Sequence, residues 1–180
     1  TLFDESPLSL WEEDYSAVKA YVDALQQGGV DDLRSYLEEH PECVTTCIGL
    51  IRVVAVNKAT LDLYHAESTK ELNENLNIVM GGEAALAFRE QLLCIAAKRP
   101  LPQTETVNQT LDGERLDLLV DMRVVPGHED TYSRVLVSLL DVTERREMEE
   151  ALKQQDVMNA LGQMAASFAH HFRSLLTTII

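Results

Sequence analysis

Apolar and polar positions keep two different rhythms along this chain, and each change of rhythm marks an element boundary. The opening "SPLSLWEED" reads as a short strand running into a turn. In "AVKAYVDALQQ", Ala17, Val18, Tyr21, Val22 and Leu25 recur at helical spacing behind a candidate N-cap at Ser16. Gly28 and Gly29 end that helix, and "VDDLRSYLEEHPE" predicts a second, shorter one that Pro41 stops. "CIGLIRVVAVN" (residues 47–57) is rich in β-branched residues and predicts a strand. "KATLDLYHA" predicts a short helix or turn, and Ser68 with Glu71 three residues on forms a capping-box pattern. Beyond Gly81 and Gly82, "EAALAFREQLLCIAAKR" predicts the best helix of the first part, ended by Pro100 and Pro102.

The rhythm then changes to strands. "PQTETVNQTL" alternates weakly, Asp112-Gly113 is a two-residue hairpin signal, and "RLDLLVDMRVVP" follows. "YSRVLVSLLDV" closes the set, with Val135, Val137 and Leu139 alternating. Consecutive strands of this kind predict an antiparallel meander. From Thr143 to Ile180 the pattern is helical throughout. The order predicts an α+β fold: an antiparallel sheet flanked by helices, with a long C-terminal coiled-coil or dimerisation helix.

Composition narrows the class. A formal net charge of −15 argues against nucleic acid and against anionic membrane surfaces, both of which attract Lys and Arg. The 46% hydrophobic content allows a true core. Cys43, Cys47 and Cys94 show no zinc-type pairing and read as reduced packing residues of a cytoplasmic protein. No apolar run reaches the roughly 20 residues of a membrane span. The abrupt ends read as those of a piece of a longer protein, whose other parts can include a membrane anchor.

Two passages carry a family resemblance. "VVAVNKATLDLYHAESTKEL" resembles the second strand and following helix of a PAS domain. "RVLVSLLDVTERREMEEAL" resembles the end of such a domain, where the last strand meets an Asp-x-Thr-Glu-Arg junction and a coiled coil. The resemblance implies a PAS sensor over residues 1–142 with a helical insertion at about 16–40, and a coiled-coil linker over 143–157. A third passage, "LGQMAASFAHHFRSLLTTI", resembles the phosphoacceptor helix of sensor histidine kinases, beginning at about 158. Leu161, Gly162, Ala165, Ala169, His170, Phe172, Leu176 and Ile179 occupy matching places. That implies His170 as the phosphoacceptor, a response regulator as the onward acceptor, and ATP and magnesium bound by a separate kinase domain.

Two positions depart from the family pattern. His171 stands where an acid usually follows the phosphoacceptor, and is read as a possible neutral base. Ser174 stands where Asn or Thr is usual. No P-loop and no Gly-rich ATP lid appears in this chain, so it is not expected to bind ATP by itself. A non-enzymatic PAS relay with a vestigial histidine is the rival reading.

Helical geometry supports the assignment of roles. Leu161, Ala165, Phe168, Phe172, Leu175 and Ile179 alternate four and three apart, the seam of a coiled coil or four-helix bundle. At about 100° per residue His170 points nearly opposite that seam and His171 lies on its flank. The stripe predicts a parallel homodimer through residues 147–180, with Gln154 and Gln155 interrupting its register. Adjacent histidines point about 100° apart, which makes a poor metal pair.

In PAS domains ligands lie between sheet and helices. The flavin motif Asn-Cys-Arg-Phe-Leu is absent, and the candidate haem helix holds no histidine, so neither cofactor is expected. His40, His65 and His128 read as loop or turn residues. A small-molecule pocket lined by Trp11, Val54, Val56, Leu63, Phe88, Leu92, Val120 and Leu136 is the remaining expectation. "WEEDYS" reads as a solvated edge and not as a cation site.

Overall fold

A computed structural model describes residues 1–178, with side chains described through residue 165 and at Ser167 and Phe168. The chain divides into two units, Thr1–Val142 and the helix from Thr143 onward.

In the first unit a five-stranded antiparallel sheet has the order β2-β1-β5-β4-β3. The strands are β1 (Ser9–Asp14), β2 (Arg52–Val56), β3 (Thr104–Gln109), β4 (Arg115–Val124) and β5 (Val135–Asp141). The strand nearest the amino terminus is thus internal, hydrogen-bonded to β2 on one side and β5 on the other. Strands β3, β4 and β5 form the expected meander. Thr110 and Glu114 close the first hairpin, and Gly113 turns the chain at φ 88°, a conformation that glycine adopts without Cβ strain.

Between β1 and β3 the chain forms α1 (Ser16–Gln27), α2 (Leu33–Glu39), α3 (Pro41–Leu50), α4 (Lys58–Tyr64), α5 (Thr69–Glu74), α6 (Leu76–Val79) and α7 (Glu83–Ala96), with β2 following α3. Their buried side chains, among them Val18, Val22, Leu37, Ile48, Leu72, Phe88 and Leu92, join Trp11, Leu118, Val135 and Val137 of the sheet in one core.

The structure corrects one assignment. Residues 47–50 belong to α3 and not to a strand, and Pro41 opens that helix instead of merely ending the one before it. Proline at the first helical position lacks only an N–H that has no partner there anyway. Cys43, Val44, Cys47 and Ile48 then fall on one buried face, a helical period that the β-branched run after Ile51 masks. The cap of α1 is also one residue earlier, at Tyr15. Ser68 caps α5 through the Glu71 N–H, as its pattern predicts.

Cys43 and Cys47 are free thiols. Burial pushes the Cys47 thiol up to about 12. Because the thiolate is the reactive form, Cys47 is expected to resist iodoacetamide at about pH 8 in the native protein and to react once urea unfolds it. Peptide mass spectrometry reads both states; rapid native labelling would contradict its placement in the core.

The second unit is one helix, α8 (Thr143–Thr178). Met148, Leu152, Met158, Leu161, Met164 and Phe168 are exposed along it.

Candidate functional site

Alternation along β1 builds the site. Ser9, Trp11 and Glu13 face inward, while Leu10, Glu12 and Asp14 face the other side. Glu12 accepts from Arg134 at 2.7 Å and Asp14 from Arg52 at 2.8 Å, so both outer acids meet a guanidinium. Glu13 is 5% exposed. It pairs with Val53 across a β-bulge, where β2 carries Val54 as the extra residue. Bulges re-aim side chains and recur beside functional sites.

Glu13 borders a partly open cavity of ≈ 50 Å³ between the sheet and α6–α7. Trp11, Tyr64, Phe88, Met80, Val120 and Met122 supply apolar walls; Glu13, Tyr15, Gln91, Thr106 and Asn108 supply polar groups. Trp11 meets Tyr64 edge to face, with ring centres 5.4 Å apart. The Asn108 amide donates to the Tyr64 hydroxyl at 2.8 Å, which fixes that ring. Thr106 Oγ1 is buried and has no hydrogen-bond partner. Among the described residues no lysine, arginine, histidine or cysteine lines the cavity.

Electrostatics follow from that lining. Desolvation raises the Glu13 carboxyl from its ordinary 4.5 to about 7, partly offset by the Tyr15 hydroxyl that donates to it. Burial raises Tyr15 and Tyr64 well above the usual phenol range, so both stay neutral donors.

The structure sorts the residues that sequence reading assigned to a pocket. Trp11, Phe88 and Val120 line the cavity. Leu92 is fully buried in the core but off the lining, and Val56 and Leu63 pack partly buried against the core. Val54 and Leu136 do not belong to it: they are 48% and 45% exposed on the outer face. By strand alternation Val54 follows the inward Val53, and Leu136 lies between the inward Val135 and Val137. "WEEDYS" is a solvated edge only on its outer side. Period-2 alternation from Trp11 is the signal that could have found Glu13 and Tyr15; nothing local marked Tyr64, Gln91, Thr106 or Asn108.

The histidines of the first unit lie in connections. His65 Nδ1 is 2.9 Å from an Asp112 oxygen, and His40 Nδ1 is 3.1 Å from Glu42. Among the described residues no cluster of three metal-ligating side chains occurs, and no helix is long and apolar enough to cross a membrane. The side chains of His170, His171 and Ser174 lie outside the described residues, on a backbone that is helical there.

Comparison with solved structures defines the class: the chain has a PAS/LOV-like fold. An RNA-binding light-oxygen-voltage receptor superimposes with a TM-score of 0.57 at 15% identity, covering 87% of this chain and 36% of that one. The LOV protein of Rhodobacter sphaeroides gives 0.50 at 19% identity, covering 78% and 63%. A light-oxygen-voltage domain studied with a flavin analogue gives 0.51 at 11% identity, covering 83% and 87%. Among curated proteins, sporulation kinase E of Bacillus subtilis (strain 168) is 44% identical over 39 residues, 22% of this chain. The match spans 5% of that kinase's length. No family profile matches the chain.

Proposed function

We propose that this chain is the sensory and phosphoacceptor part of a two-component histidine kinase. The first unit senses; α8 pairs with a second copy and carries the signal to His170. In the parent system a separate domain binds ATP and magnesium, the γ-phosphoryl group passes to a ring nitrogen of His170, and an aspartate of a response regulator receives it. The observation that carries this reading is the run Leu-Gly-x-x-Ala-x-x-x-Ala-His-x-Phe at residues 161–172, on a helix that begins two residues after the last strand of a PAS/LOV-like fold. The short likeness to a sporulation kinase supports it. The exposed Val157, Leu161, Met164 and Phe168, spaced four, three and four apart on one face of α8, support pairing, since such an apolar stripe marks an interaction surface.

Flavin fits this lining badly. The cavity is small, has no cysteine for a photoadduct and offers no basic side chain for a phosphate. Sensing by a smaller organic ligand is therefore part of the proposal.

The test uses the full-length parent with ATP radiolabelled on its γ-phosphate. An acid-labile, alkali-stable label is expected on wild-type protein and is expected to vanish in His170→Gln. Retention of label in that variant would place the phosphoacceptor at another residue, and a normal downstream response from an unlabelled variant would leave the helix as a relay without phosphotransfer. His171→Glu restores the acid usual in the family and is expected to keep or raise labelling.

A further inference from the structure

Three features of the sensor cavity point to one ligand chemistry. A carboxyl group lies at its wall, and among the described residues no cationic side chain lies in its lining. Buried acids are ordinarily paired, because a charge removed from water without a partner is costly. Here both neighbouring acids of β1 have an arginine, and among the described residues Glu13 has only the Tyr15 hydroxyl. An aromatic and thioether wall of Trp11, Phe88, Met80 and Met122 completes the same lining.

Resting on the reading of the first unit as a ligand sensor, we propose that this cavity binds a small organic amine, its ammonium nitrogen held by the Glu13 carboxylate and its hydrocarbon part lying on the Trp11–Phe88 wall. The ammonium supplies the counter-charge that the fold omits. Hydrogen bonds from it to the carboxylate are charge-assisted, and the neighbouring ring faces add cation–π attraction. Anionic ligands meet the opposite field, because the lining has an acid and no base and the whole chain carries −15. Size sets the ligand's length. A cavity of ≈ 50 Å³ holds about four water-sized groups, so a chain of three or four heavy atoms beside the nitrogen is the upper range.

Binding also carries a pH signature. Glu13, Tyr15 and Tyr64 are the titratable groups of the lining, and both tyrosines remain neutral through the physiological range. The amine requires the ionised carboxylate. Its affinity is expected to rise between about pH 6 and about pH 8.

Trp11 is the sole tryptophan of the chain, so its fluorescence reports the cavity directly. The 180-residue protein is titrated at about pH 8 with n-propylamine, 1-propanol and propionate, three probes of like size and different charge. Saturable quenching or enhancement by propylamine is expected, with the other two at least about tenfold weaker. Glu13→Gln is expected to weaken propylamine about a hundredfold, with circular dichroism checking that the variant folds. Equal or tighter binding of propionate or 1-propanol, unchanged propylamine affinity in Glu13→Gln, or no saturation by any amine from ethylamine to butylamine would overturn the proposal. The measurement uses no ATP and does not touch His170. Its failure leaves the phosphotransfer reading intact, and loss of His170 labelling leaves amine binding legible.

Discussion

Asn57→Ala is expected to lower the unfolding free energy of the first unit by about 3 kcal/mol. Asn57 is fully buried at the end of β2. Its amide nitrogen donates to the carbonyls of Phe3, Ser6 and Leu8 at 3.1, 3.2 and 2.8 Å. Its oxygen accepts from the N–H groups of Leu10 and Thr60, both at 3.1 Å, and from the Thr60 hydroxyl at 2.9 Å. One side chain therefore caps α4 and ties down the segment leading into β1. Alanine removes the cap, worth about 1 kcal/mol, and leaves the Leu10 N–H without its partner, at about 1–3 kcal/mol. Urea unfolding followed by circular dichroism reads the loss. Asn57→Asp keeps the acceptor but turns a carboxylate toward three carbonyl oxygens, and is expected to be no better than alanine. A loss well under 1 kcal/mol in the alanine variant would refute the role of this residue as a clamp.

Glu13→Gln is expected to stabilise the unliganded protein at alkaline pH and to change it little at about pH 4. The folded-state carboxyl titrates near 7, against an ordinary 4.5. Below 4.5 the group is protonated in both states and contributes no difference. Between 4.5 and about 7 the folded state holds a proton that the unfolded state has released, so stability falls as pH rises. Above about 7 the loss is complete, at about 3 kcal/mol. Asp14, Asp32, Glu42 and Glu90 are lowered by their partners and act in the opposite sense at acid pH. The informative quantity is therefore the difference between variant and wild type. Thermal or urea unfolding from about pH 4 to about pH 8 is expected to show that difference growing in favour of the glutamine variant, and a flat difference would mean that the carboxyl is not desolvated. Saturating propylamine is expected to shrink it at about pH 8, since an ammonium partner relieves the same penalty.

The two residues differ in how far they could be read from the chain. Asn57 stands between a β-branched run and a helical one, the place of an N-cap, and sequence reading marked the strand ending there. Its three carbonyl partners near the amino terminus are 49 to 54 residues away and carry no local trace. Glu13 sat within "WEEDYS", whose charge suggested water on all sides. Strand alternation sends only Glu12 and Asp14 to the solvent face, and the same period takes Val54 and Leu136 away from the cavity that reading had assigned them. Residues 47–50 failed for another reason. The β-branched run that follows them outweighed a helical spacing of buried positions that is visible once Pro41 is taken as a start and not a stop.

Local patterns by themselves determined the meander β3–β4–β5, the Asp112-Gly113 turn, the Ser68 cap, α7 and the uninterrupted helix after Thr143, because turn chemistry, caps and short hydrophobic periods act over a few residues. Tertiary structure alone decided that β1 lies inside the sheet between β2 and β5, that Glu13 is enclosed without a cation, and that Thr106 and Asn108 converge with Tyr64 and Gln91 on one cavity. Those outcomes depend on pairings between segments tens of residues apart, and a side chain's surroundings follow from what the rest of the chain packs against it.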